Sequence, residues 1–149
     1  TNESNIILDD GSVKLDKIEL VNPFSLEGGL PQLNWGDDFK LYFKLSVLDS
    51  SRLLDFVIII VDKEQRPIAS LNVFNQPDDI TAKNGVIEFS AKHENMQLSK
   101  GLYSINIVVR TKESREPLLR INDVLHFQII HPQEIWEPFL LASKFENII

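Results

Sequence analysis

The sequence predicts an all-β fold: an immunoglobulin-like antiparallel two-sheet β-sandwich of about seven to eight strands. Three observations carry this. Apolar residues recur at every second position through most of the chain, the period of a strand with one buried face. Turn-forming groups such as Gly36-Asp37, Asn84-Gly85 and Lys100-Gly101 punctuate these runs at short intervals. No stretch before residue 131 shows the periodicity of a helix. Alternating strands separated by short turns favour a sandwich; a closed barrel is the alternative.

The elements follow in order. Val13–Val21 alternates but changes phase between Leu15 and Ile18, which predicts a bulge at Asp16-Lys17. In Asp38–Val47, the residues Phe39, Leu41, Phe43, Leu45 and Val47 share one face, with Lys40, Tyr42, Lys44 and Ser46 opposite. Phe56–Val61 is continuously apolar, so both of its faces are expected to be covered. Ile68–Phe74 follows the polar turn Asp62–Pro67. Ile87, Phe89 and Ala91 alternate with Glu88, Ser90 and Lys92. Tyr103–Val109 and Leu118–Ile130 complete the set. Further turns are expected at Gly28-Gly29 and Pro77-Asp78-Asp79. Tyr103, just after a turn glycine at the start of its strand, fits the corner tyrosine of such sandwiches, whose hydroxyl bonds upstream backbone. It therefore reads as structural.

Three segments result: a linker-like 1–12, a sandwich over 13–130 and an apolar tail over 131–149. The polar start Thr1-Asn2-Glu3-Ser4-Asn5 has the character of a linker within a longer protein. The tail does not alternate. Trp136, Phe139, Leu140, Phe145, Ile148 and Ile149 make it too apolar for a free end, so it is expected to pack on the sandwich or on a second chain.

Composition narrows the chemistry. The chain has 149 residues, a formal charge of −7, 43% apolar residues and no cysteine. That length folds without a staple. The absence of cysteine excludes thiolate metal sites and thiol nucleophiles and fits a reducing compartment. The negative charge argues against nucleic acid, which needs a clustered basic footprint. No apolar run approaches the roughly 20 residues of a membrane-spanning helix.

Catalysis has little support. The three histidines, His93, His126 and His131, sit in no nucleophile or metal-pair motif, and no glycine-rich phosphate loop occurs. No cofactor is expected. The pairs Asp9-Asp10, Asp37-Asp38 and Asp78-Asp79 could supply oxygens to calcium, but turn positions favour aspartate for its own backbone bonding. The outward face of the strands is more informative. It carries Asn72 and Phe74, then Ser104, Asn106 and Arg110, then Arg120, Asn122, His126 and Gln128. Amide, guanidinium and imidazole groups pair well with hydroxyls that both donate and accept. A pyranose ring could also lie on Phe74, Tyr42, Trp35 or Trp136. Asn72, Phe74, Asn106, Arg110, Arg120, His126 and Gln128 are thus the candidate glycan-binding set.

The order of elements resembles the C-terminal domain of the Wzt-type ATP-binding subunit of O-antigen polysaccharide ABC transporters, over about residues 12–130. The points of likeness are Gly36-Asp37 leading into Phe39-Lys40-Leu41, then Phe56 through Asp62 and the turn to Ile68, then Asn72. They continue with Gly85 before Val86-Ile87-Glu88-Phe89, with Leu98 and Gly101-Leu102-Tyr103-Ser104-Ile105, and with Phe127. One departure is Gln65, where the family commonly has a turn glycine. The resemblance implies a cytoplasmic, non-catalytic carbohydrate-recognition domain appended to an ATPase domain outside this sequence. It further implies a homodimer, with exchange of a terminal strand (Leu118–Ile130 is the candidate), and association with the membrane permease through the ATPase domain.

Overall fold

A computed structural model describes residues 5–21, 23, 29–72 and 78–149. It builds nine strands: β1 (Ile6–Asp9), β2 (Val13–Leu20), β3 (Gln32–Asn34), β4 (Phe39–Val47), β5 (Leu54–Asp62), β6 (Pro67–Leu71), β7 (Val86–His93), β8 (Gly101–Thr111) and β9 (Pro117–Ile130). No α-helix occurs among the described residues. The larger sheet runs β1-β9-β8-β5-β6 with β3 added beside β9, and the smaller runs β2-β4-β7. The two-sheet sandwich is as expected. The two additional strands are short ones that no alternation could mark, and β1 falls inside the linker-like segment.

Alternation builds the interior. On β4, Phe39, Leu41, Phe43 and Leu45 are fully buried, and so are Ile105, Ile107 and Val109 on β8. Phe127 and Ile129 of β9 join them, with the Phe39 and Phe127 rings 5.1 Å apart. Burying each such side chain contributes about 1.5–3 kcal/mol. The expected bulge is present, with the β2–β4 register shifting between Leu15 and Lys17.

The β9 strand is long enough to hold two partners on one edge. β1 pairs antiparallel with Leu119–Ile121, while β3 pairs parallel with Gln128–Ile130. This parallel pair is the one exception to the antiparallel pattern. Between them β9 bulges, so that Ile105 faces Leu125 while Ile107 faces Ile121. Asp123 takes a positive φ of 52° within this bulge, and its amide donates to Asn106 Oδ1 at 2.9 Å.

Coverage of Phe56–Val61 is uneven on its two sides. Ile58 and Ile60 face the core and are buried. Of the residues that point away from it, Val57 and Ile59 are half-buried and Val61 is buried. The strand is central in its sheet, between β8 and β6.

Two turns carry specific chemistry. Gln65 has φ 66°, the left-handed region that glycine enters without cost. The turn closes because Asp62 Oδ1 accepts from the amides of Glu64 at 2.9 Å and Arg66 at 3.0 Å. These bonds hold the Asp62 carboxyl below its ordinary range despite the opposing effect of desolvation. Tyr103 is buried and donates its hydroxyl to the Ser99 carbonyl at 2.5 Å, the corner role expected of it. Burial, and secondarily the Asp62 carboxylate, push its pKa up to about 12.

Gln65→Gly is expected to raise stability by about 0.5–1 kcal/mol, the relief of left-handed strain less the entropy of glycine; urea titration measures it. Tyr103→Phe should cost about 1–2 kcal/mol by orphaning a buried acceptor. Because folding favours the neutral phenol, Tyr103 contributes fully below pH 10 and loses that contribution as pH rises toward about 12. The stability difference between wild type and Tyr103→Phe, followed by denaturant melts across that window, should therefore narrow.

Candidate glycan-binding face

Register places most of the candidate residues together on the outer side of the larger sheet. Along β8 the outward positions are Leu102, Ser104, Asn106, Val108 and Arg110. Across them, Ser104 faces His126, Val108 faces Arg120, and Leu102 faces Gln128. On the other flank, Arg110 faces Asp55, Val108 faces Val57, and Asn106 faces Ile59. Asn106, Arg110, Arg120, His126 and Gln128 thus share one face. Asn72 follows the end of β6, exposed and in no strand register, and borders a cleft between the sheets. Phe74 lies outside the described residues.

Three of the five have an internal partner that uses one atom and leaves others available. Arg110 Nε donates to Asp55 Oδ2 at 2.5 Å, leaving the two terminal nitrogens of its guanidinium. Asn106 Oδ1 accepts from Asp123 N, leaving its amide nitrogen. Gln128 Oε1 accepts from Gln32 Nε2 at 3.0 Å, again leaving the amide nitrogen. Arg120 and His126 are exposed and have no hydrogen-bond or ion-pair partner among the described residues. The free groups on this face are mostly donors, so it favours a ligand rich in acceptor oxygens.

Of the expected stacking rings, Phe74 lies outside the described residues, and the other three are not on strand positions of this face. Among the described residues its outward strand positions hold no Phe, Tyr or Trp. Tyr42 lies on the outer side of the smaller sheet, where its hydroxyl donates to Glu88 Oε2 at 2.8 Å. That bond is the main reason its pKa is raised. Trp35 is half-buried at the end of the sandwich, edge-on to His131 with centroids 5.3 Å apart, and donates Nε1 to the Leu140 carbonyl. Trp136 is fully exposed on the tail. Apolar surface on the candidate face comes instead from Val57, Ile59 and Val108.

Asp55 was not among the sequence candidates, although it fixes the Arg110 side chain. Alternation could have placed it on the outward face, but its register against Arg110 depends on the β5–β8 pairing. The paired aspartates are engaged in turns. Asp9 Oδ1 accepts from Gly11 N at 2.8 Å, Asp10 Oδ1 from Ser12 N at 2.9 Å, and Asp37 Oδ2 from Asn34 N at 3.0 Å. The Ser12 hydroxyl and amide hold the Asp10 carboxyl below its ordinary range. Asp79 forms an ion pair with Lys112. Among the described residues no group of three His, Asp or Glu side chains is gathered for a metal.

Around Phe139 the tail is tied to the sandwich. Ser99 N donates to the Pro138 carbonyl at 2.9 Å and Leu140 N to the Gln97 carbonyl at 2.9 Å. Beyond that point Phe145, Ile148 and Ile149 are exposed.

A family model described as the Wzt C-terminal domain matches residues 8–138. Among solved structures, one described as the crystal structure of the C-terminal domain of Wzt superposes with a TM-score of 0.76 at 17% identity, covering 93% of this chain and 86% of the other. A Niemann-Pick type C2 protein from the Japanese carpenter ant superposes with a TM-score of 0.58 at 13% identity, covering 82% of this chain and 97% of the other. Comparison with curated proteins by sequence finds no match.

The Asp55–Arg110 pair is about a third exposed at both ends. A double-mutant cycle with Asp55→Ala and Arg110→Ala should therefore give a coupling of no more than about 1 kcal/mol, diminishing in 1 M salt. Chemical denaturation of the four proteins measures it.

Proposed function

The chain belongs to the Wzt C-terminal domain family, and on that premise we propose that it recognises O-antigen polysaccharide, by the terminal segment of the lipid-linked glycan, for export. Membership gives it the context of an O-antigen ABC transporter, in which this domain is a non-catalytic module of the ATPase subunit. The observation that carries the recognition reading is the convergence of Asn106, Arg110, Arg120, His126 and Gln128 on one face with donors left unsatisfied.

Recognition proceeds by hydrogen bonding and apolar contact. The free guanidinium, imidazole and amide groups meet hydroxyl, acetyl or carboxylate oxygens of the glycan. Val57, Ile59 and Val108 provide a surface for the C–H faces of the sugar rings. Each hydrogen bond contributes only about 0.5–1.5 kcal/mol net, because water bonds are exchanged for protein bonds. Single-domain affinity is accordingly modest. Pairing of two copies would present two faces to one polymer and raise avidity. The exposed Trp136, Phe145, Ile148 and Ile149 favour such pairing, and exchange of β9 remains its proposed form. The site of action is cytoplasmic, at the inner face of the bacterial inner membrane, with the permease engaged through the ATPase domain.

Calorimetry with the cognate O-antigen polysaccharide, set against an unrelated glycan, tests this reading. Asn106→Ala, Arg110→Ala, Arg120→Ala and His126→Ala should each weaken binding by about two- to tenfold, the equivalent of one net hydrogen bond. Melting temperature should change little for the two exposed residues, Arg120 and His126. Full affinity in all four variants would place recognition elsewhere on the domain, and pairing without glycan binding would favour a purely oligomerising module.

A further inference from the structure

The two sheets part on the side of their edge strands β6 and β7, leaving a cleft of about 870 Å³ between them. Its size lies within the roughly 300–1,000 Å³ typical of small-molecule sites. The floor is apolar and continuous with the core: Phe56, Ile58, Ile60, Leu71, Phe89 and Met96 line it. The Phe56 and Phe89 rings lie 4.5 Å apart there. The tail supplies a wall through Phe139 and Leu141. That wall is fixed, because the hydrogen bonds of Pro138 and Leu140 to the Gln97–Ser99 segment hold it. Both side chains keep much of their surface open, at 45% and 64%.

The charges around the cleft decide what kind of molecule fits. Lys112 is paired with Asp79, Lys92 lies 3.6 Å from Asp38 and 3.9 Å from Glu94, and Asp55 is held by Arg110. Every lysine and carboxylate of the described lining therefore has an ionic partner already. Asn72 and Gln97 border it with neutral amide groups. An ionised head group would have to break one of these pairs or lose water without compensation. A neutral polar end has no such cost.

We propose that this cleft binds an uncharged amphiphile with a single hydrocarbon chain, the chain lying between the sheets and the polar end among the amide groups at the rim. The site is separate from the outer face discussed above and does not rest on the glycan reading. Displacement of the neutral fluorophore N-phenyl-1-naphthylamine by simple alcohols tests it without any sugar present. 1-Decanol should displace the fluorophore, and 1-octanol should be weaker by about tenfold or more for its two lost methylenes. Decanoate at neutral pH should be weaker than 1-decanol. Methyl resonances of Ile58, Ile60, Leu71 and Met96 should shift with 1-decanol, while those of Val57 and Ile59 on the outer face stay in place. Ala69→Phe and Ala91→Phe, each filling the cleft from a different sheet, should abolish displacement in proteins whose melting transition shows them folded. No displacement, equal binding of decanoate, no dependence on chain length or shifts confined to the outer face would each overturn the proposal, as would full binding in a folded variant. The methyl shifts decide the matter even if neither variant folds.

Discussion

The structure depends on one contact, the packing of the inward row of β8 and β9 against the inward row of β4. Phe39, Leu41, Phe43 and Leu45 meet Ile105, Ile107, Val109, Phe127 and Ile129 in a single buried cluster. β8 lies between β5 and β9, and β4 between β2 and β7, so every other long strand is hung on one of these two. The rows can interdigitate because each strand presents one face to the interior by its pleat. Tyr103 sits at the end of the same row, stacked 5.6 Å from Phe127, and ties the start of β8 to the preceding loop through Ser99.

The unequal width of the sheets follows from this arrangement and determines where surfaces are available. Three strands cannot cover the inner side of a larger sheet along its whole width. On the β6 side the apolar inner surface of β5 and β6 stays partly uncovered, and the tail closes only part of that gap. On the outer side of the same sheet most outward positions are half-buried or exposed. Its outward positions are free to carry polar groups without disturbing the core, since alternate residues on a strand are separated by the sheet itself. The proposed recognition and the stability of the fold thereby fall on opposite faces of the same strands. The Arg110–Asp55 pair and the Asn106–Asp123 bond orient the polar groups without adding much to stability.

The acidic character of the chain also has a local explanation. Asp9, Asp10, Asp37, Asp38, Asp49 and Asp62 each accept backbone amides close to a strand end. Carboxylates suit that task because they only accept, and an amide bonded to a charged acceptor is held more firmly than one bonded to a neutral oxygen. Much of the net charge of −7 therefore serves turn geometry.

The sequence alone determined the sandwich, because period-2 alternation is a local property that any half-buried strand must show. It also determined the β2 bulge: one extra residue, Asp16, reverses the phase, and the reversal is visible as Leu15 followed by Ile18. The β9 bulge was invisible for the complementary reason. It inserts two residues, so the phase is restored and Leu119 to Ile129 reads as one uninterrupted strand. Tyr103 was legible because its role depends on neighbours four residues away, whereas Asp55 was not, because its partner lies 55 residues off. The left-handed turn at Gln65 could be located from the resemblance, but its geometry rests on the Asp62 carboxylate. Only the tertiary structure decided that Asn106, Arg110, Arg120, His126 and Gln128 share one face, that Val57, Ile59 and Val108 lie among them, and that a cleft exists at all. Each of these follows from how strands distant in sequence pair and how far two sheets overlap, and no local pattern of residues records that.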